Sequence, residues 1–281
     1  MSPQSDFLTT LPDRAVISMT GPDARAFLTR VISNGPDGAA PGRAQFASLL
    51  TPQGKVLADL IFFDDGDSGL LVDLPASEAK ALLKRFTLYR LRAKAEIALR
   101  DDLAVAAARG EGEAELTTIA LAAAPDPRSP ELGLRAIVPA GGPVESEGYH
   151  SARIAAGVPE FGADYGASEV FSTDVNHDLM DGIDYKKGCF VGQEVASRMR
   201  RKGGVRKRTV RLVISNDVET GAPVQAGDTP VGAVTSASGA NTLALVRIDR
   251  AEKAMAGGGG LSINGAQAQL LDDFGALSPA G

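Results

Sequence analysis

The chain has 281 residues, 44% of them hydrophobic, with a formal net charge of -6 and one cysteine. A chain of this length buries roughly 75% of its unfolded surface, so neither disulfides nor a structural metal are needed for folding. One cysteine excludes an internal disulfide, and the acidic balance argues against a protein devoted to nucleic acid. A lone thiol cannot grip an iron–sulfur cluster, which takes about four ligands, so any cluster would be shared with a partner. The first thirteen residues hold Asp6 and Asp13 but no Lys or Arg, which predicts no leader and a cytoplasmic location. The longest apolar runs, such as 56–63, contain a charge and are too short to span a bilayer, so no membrane is expected.

In chain order, residues 15–19 form a short apolar strand ending at Gly21-Pro22, and 23–32 carry Phe27, Leu28, Val31 and Ile32 at helical spacing. Strands are predicted over 43–50 and 55–63, turned at Thr51-Pro52-Gln53-Gly54, and the polar run 64–69 leads into a third at 70–74. Pro75 and Ser77 open a helix to about Leu88 with Leu82, Leu83 and Phe86 on its core face; 94–99 alternates as a half-buried strand. This order implies an α+β layer with helices on one face of an antiparallel sheet. Residues 102–150 are less legible: 103–107 and 134–138 read as strands and 124–130 as a proline-rich loop. From Arg208 the texture is all-β, with short strands at 209–214, 230–235, 242–248 and 261–271, the last turned at Asn264-Gly265, which predicts a small barrel or sandwich.

The segment 153–208 carries the chemistry. Cys189 follows Lys186-Lys187-Gly188 and precedes a predicted helix from Gly192 to Arg200; cationic neighbours and a helix N-terminus both favour thiolate. Gly188 and Gly192 permit tight bends, and Gln193 and Glu194 add an amide and a carboxylate within one turn. The alternative is a small buried cysteine packed in a turn. Tyr185 and Phe190 flank the thiol and either stack on a ligand ring or pack the turn. The basic run Arg198, Arg200, Arg201, Lys202, Arg206, Lys207, Arg208 and Arg211 is a local positive patch. His150 and His177 do not share a metal-site spacing.

The string Lys187-Gly188-Cys189-Phe190-Val191-Gly192-Gln193-Glu194 resembles the signature of the YgfZ family of folate-binding proteins. Residues 153–159, Ser33-Asn34, the run from Leu49 to Asp59 and Val231-Gly232-Ala233-Val234-Thr235-Ser236 resemble further elements of that family, which is related to the glycine cleavage T-protein, a tetrahydrofolate-dependent aminomethyltransferase. The resemblance implies ferredoxin-like α/β modules in a clover-like ring with a small C-terminal β-barrel. The expected domains are 1–100 (folate-binding), 101–205 (carrying the cysteine motif) and 206–281 (barrel). It implies a tetrahydrofolate-binding accessory protein for iron–sulfur protein assembly or repair, with Cys189 as the catalytic candidate. Expected partners are folate and iron–sulfur assembly factors or client enzymes, and the expected state is a monomer. An aminomethyltransferase is the alternative function.

By the same resemblance Asp59 faces the pterin, with a solvent-facing edge position as its other reading, and Tyr185, Lys187, Gln193 and Glu194 complete the site. The T-protein's second folate-contacting carboxylate is matched here by Ala155, which weakens the aminomethyl reading. Arg200 and Arg201 become the landing place of a polyglutamylated tetrahydrofolate tail; RNA and a plain solvated linker remain alternatives for the basic run.

Overall fold

The computed structural model describes residues 6–66, 69–142, 144–145, 147–201 (Arg201 by its backbone) and 205–272. The first half runs β1 (Phe7–Thr10), β2 (Arg14–Thr20), α1 (Ala24–Thr29), β3 (Gln45–Leu50), β4 (Val56–Asp64), β5 (Leu70–Pro75), α2 (Ala79–Arg90), β6 (Glu96–Leu99), β7 (Leu103–Arg109), α3 (Gly112–Ile119), β8 (Ala122–Pro125) and β9 (Leu134–Pro139). After α4 (Glu147–Ala156), irregular chain leads to α5 (Gln193–Arg201). Then come β10 (Lys207–Val213), β11 (Pro223–Ala226), β12 (Thr229–Ser238), β13 (Asn241–Arg247), α6 (Ile248–Ala256), β14 (Leu261–Ile263) and β15 (Ala266–Leu270).

Three sheets organise these elements. The first is antiparallel in the order β3-β4-β5-β2-β6, the second runs β1-β7-β9-β8, and β10-β13-β12-β11-β14-β15 close into a barrel. The central strands of the first sheet read as near-continuous apolar runs because both faces are covered. Ala58, Leu60, Phe62, Val72 and Leu74 pack under α1 and α2, while Phe46, Ile61, Phe63 and Leu71 meet Val105, Ala107 and Ile137 of the second sheet. Ala106, Ala108 and Ala136 on the outer face of that second sheet let α3 settle closely through Leu116. The α+β class and the closed C-terminal barrel agree with the sequence reading.

Several features add to or depart from the predicted elements. β1 leaves the first sheet and pairs with β7, Phe7 opposite Arg109. Helices α3, α4 and α6 occupy stretches for which no element was predicted, β8 runs into the predicted proline-rich loop 124–130, and the strand predicted to reach residue 248 stops at Arg247, with α6 beginning at Ile248. The hairpin at Asn264-Gly265 forms as expected, both residues having positive φ (51° and 80°), as a two-residue turn between twisted strands requires. Residues 157–192 contain no helix or strand, and a stretch that long inside a compact fold marks a functional segment.

Candidate functional site around Cys189

Cys189 is exposed, at the end of that irregular stretch. Its loop is pinned from three sides. Ser33 Oγ donates to the Gly182 carbonyl (2.6 Å) and accepts from the Ser48 amide (2.7 Å); Asn34 Nδ2 donates to the Asp181 carbonyl (2.6 Å). Asp184 Oδ1 accepts from the amides of Lys186 (2.7 Å) and Lys187 (3.1 Å), closing a turn of the kind short carboxylates favour. Lys187 Nζ donates to the Thr29 carbonyl at the end of α1 and lies 4.9 Å from the centre of the buried Phe190 ring.

Two glycines then dock the motif on the β3–β4 turn. Gly192 has φ +83°, and a Cβ there would meet the Thr51 carbonyl oxygen at 2.6 Å. A Cβ on Gly54 (φ +79°) would meet Val195 at 2.9 Å. The two motifs quoted from the sequence, 49–59 and 187–194, are therefore in contact, and only glycine fits at either place.

The predicted site residues divide. Lys187 turns inward to α1, and burial lowers its amine to about 8, so it holds the loop instead of facing the thiol. Tyr185 and Arg200 come together, the guanidinium 4.4 Å from the ring centre. Burial raises the Tyr185 hydroxyl to about 12, and that oxygen has no hydrogen-bond partner among the described residues. Both line a cleft of about 440 Å³ with Lys186, whose lining does not include Cys189. Gln193 and Glu194 open α5, Glu194 exposed and Gln193 half-buried. Arg201's side chain, Lys202, Gly203 and Gly204 lie outside the described residues. The predicted basic patch is not one surface: Arg208 is fully buried on Asp178 (2.5 and 2.9 Å) and Arg211 pairs with Asp272 (2.8 Å), because both lie on the first barrel strand and are held by neighbouring carboxylates.

Asp59 is neither ligand-facing nor solvent-facing. It is 2% exposed, with one carboxylate oxygen accepting from Arg14 (2.6 Å) and the other from the Tyr165 hydroxyl (3.1 Å). It belongs to a buried polar hub that the sequence reading did not anticipate. Arg14 also donates to Asp73 (2.6 Å), and Arg135 reaches the other Asp73 oxygen (2.9 Å). Tyr149 accepts from Arg128 and Arg135 and donates to Glu160 (2.6 Å), while Arg128 is paired with Asp126. Arg153 binds Asp164 (2.6 Å) and reaches Ser236 of the barrel. The hub thus joins both sheets, the irregular segment and the barrel.

From Asp59 the chain of contacts continues through Tyr165 to His177 Nε2 (3.0 Å), whose Nδ1 meets Ser48 Oγ (2.7 Å). Burial lowers the His177 imidazole to about 4, keeping it neutral at pH 7. One signal in the sequence pointed to the hub: Asp59, Asp73 and Arg135 each interrupt an apolar strand, where a charge persists only when paired.

These contacts bear on one contact expected for tetrahydrofolate. The pterin-facing carboxylate implied by the resemblance is consumed by Arg14 and Tyr165, and its companion is Ala155. Asp59 as placed is a buried, paired carboxylate and not the free pterin-facing acid that the resemblance implies.

Residues 206–272 match the family model described as CAF17, C-terminal beta-barrel domain. A Homo sapiens protein named iron-sulfur cluster assembly factor IBA57, mitochondrial, is 32% identical over 257 residues, covering 82% of this chain and 71% of the relative. The chain belongs to the IBA57 family of iron–sulfur cluster assembly factors. The IBA57 homologs of Neurospora crassa and Pyricularia oryzae, both named mitochondrial, are each 32% identical, covering 76% and 73% of this chain. The chain spans 56% and 57% of those two relatives. The expected YgfZ membership is thereby refined to the IBA57 family, and the expected cytoplasmic location is overturned by the mitochondrial names of these IBA57 relatives. The glycine cleavage system aminomethyltransferase T from Bartonella henselae superposes with a TM-score of 0.72 over 86% of this chain and 78% of its own, at 18% identity, so the fold is shared.

Proposed function

We propose that this protein serves iron–sulfur protein assembly by lending Cys189 as one ligand to a cluster held jointly with a partner protein, one copy of this chain per complex. The carrying observation is the chain's only thiol, exposed on a loop fixed by Ser33, Asn34, Asp184, Lys187 and Gly192. A fixed, accessible thiol offers a ligand without the cost of ordering the loop on binding. Among the described residues no group of three or more His, Cys, Asp or Glu is placed to hold a metal, so the remaining ligands would come from the partner. The names of the IBA57 relatives support a role in iron–sulfur cluster assembly.

The test is native mass spectrometry of an anaerobic mixture of this protein, Fe(II), sulfide and a cysteine-bearing cluster carrier. The expected product is a mixed complex carrying iron and sulfide, absent with Cys189→Ala. Equal cluster content with Cys189→Ala would sink the proposal. The chemistry needs no folate. The alternative, a tetrahydrofolate-dependent aminomethyltransferase, requires folate binding, and isothermal titration with tetrahydrofolate decides it directly.

A further inference from the structure

A second concentration of positive charge lies away from residue 200. Residues 79–95 hold six Lys or Arg and no Asp or Glu, in a protein whose net charge is -6. Helix α2 buries Ala79, Leu82 and Phe86 and turns Lys80, Lys84 and Leu88 outward at four-residue spacing. Beyond it Leu91 is 83% exposed and Leu88 69% exposed, with Arg92 and Lys94 beside them in the sequence, both exposed. Among the described residues no carboxylate pairs with Lys80, Lys84, Arg92 or Arg30, whereas Arg85 and Arg90 are engaged with Tyr89 and Ala95.

Stability does not account for this arrangement. Lys80 sits in the first turn of α2, where the helix dipole disfavours a cation, and Lys80 and Lys84 repel across one turn. Leu91 has φ +51°, a strained conformation for a residue with a side chain, and presents that side chain to water. Exposed apolar anchors among unpaired cations describe a surface that expects an acidic partner.

One end of this face adjoins the segment that anchors the cysteine loop. Leu91 and Arg92 share a cleft of about 760 Å³ with Ala26 and Arg30 of the α1 region. Arg30 adjoins Thr29, whose carbonyl accepts from Lys187 two residues before Cys189. Chain geometry puts Arg30 within about 20 Å of the sulfur.

We propose that the α1–α2 face, from Lys80 through Leu88 and Leu91 to Arg30, is the docking surface for an acidic iron–sulfur partner protein that places its own thiols beside Cys189. This rests on the proposed role of Cys189 and names the kind of partner that role requires.

A thiol-exchange rate tests the docking separately from cluster chemistry. The probe is the peptide Glu-Glu-Leu-Glu-Glu, joined by a ten-residue Gly/Ser spacer to a cysteine blocked as its mixed disulfide with thionitrobenzoate. Such a spacer spans about 18 Å. The Cys189 thiolate attacks the peptide sulfur, the old S–S bond breaks, and the thionitrobenzoate anion leaves and is read by its colour. At low salt the acidic peptide is expected to react about tenfold faster than a Gln-Gln-Leu-Gln-Gln control, with the advantage lost at high salt. In Lys80→Glu/Lys84→Glu/Arg92→Glu the acidic peptide should react no faster than the control, because the reversed charges repel it. Leu91→Asn, which relieves the backbone, should slow the acidic peptide alone. No acidic advantage in wild type, or one that survives the triple substitution, overturns the proposal. So does sedimentation with phosphatidylcholine vesicles containing phosphatidylglycerol that the triple variant loses while peptide preference is absent, since that assigns the face to an anionic membrane. The control peptide's rate reports a competent thiol in every variant. A failed docking test therefore leaves the cluster result standing, and the reverse holds equally.

Discussion

Asp59→Asn separates a structural carboxylate from a ligand-binding one. The substitution keeps the shape but removes the charge that accepts 2.6 Å from Arg14 at a fully buried site. Removing one partner of a buried ion pair costs about 3–5 kcal/mol. Arg14 retains Asp73, so the lower end applies. At about 2–4 °C per kcal/mol for a chain of this size, Tm should fall by roughly 6–12 °C. The pH dependence follows from the same contact. Burial, the largest single influence, pushes the Asp59 carboxyl up, but the Arg14 and Arg128 guanidiniums and the Arg14 hydrogen bond together outweigh it and hold the group below the usual carboxylate range. A folded pKa below the unfolded value, about 3.9, gives stabilisation that is present above about pH 4 and lost as pH falls through the folded value. Calorimetric melts at pH 7, 5 and 3.5 should therefore show a constant gap between wild type and variant at the first two and a smaller gap at the last. A variant melting within about 2 °C of wild type, yet losing a bound small molecule, would refute the structural assignment and restore a ligand role.

His177 titrates in a separate window. Its folded pKa of about 4 lies below the unfolded value of about 6.5, so the unfolded chain binds more protons between them and stability falls as pH drops across that range, by on the order of 3 kcal/mol. Urea midpoints from pH 7 to 4 should show the fall in wild type and lack it in His177→Asn. Gly192→Ala should cost about 2 kcal/mol or more, because it adds a Cβ 2.6 Å from the Thr51 carbonyl at φ +83°; urea unfolding measures the loss, and disulfide-reagent kinetics should show altered Cys189 reactivity. Lys187, lowered to about 8 by burial, should acylate with a midpoint near pH 8, and Lys187→Met should speed amide exchange over 185–191.

The sheets and barrel were legible because their strands alternate or run apolar between clear turns, as at Asn264-Gly265. Helix α3 was not: among its eight residues only Leu116 is buried, so no apolar stripe marks it. α4 hid its core face behind Tyr149 and Arg153, a ring and a charge that read as surface but are buried in the hub. The cysteine loop was found from its motif, and its contact with the 49–59 turn follows from two glycines whose necessity only the packing reveals. The basic run near residue 200 misled because spacing alone could not tell that Arg208 and Arg211 point into paired sites. Arg198, Arg206 and Lys207 of that run are exposed, as are Lys80 and Lys84 of α2.

The most direct measurement replaces Cys189 with selenocysteine and records selenium-edge X-ray absorption of the cluster-loaded complex. An iron neighbour bonded to selenium is the predicted result. Selenium with carbon as its only near neighbour, in a complex that still carries its full cluster, would contradict the account.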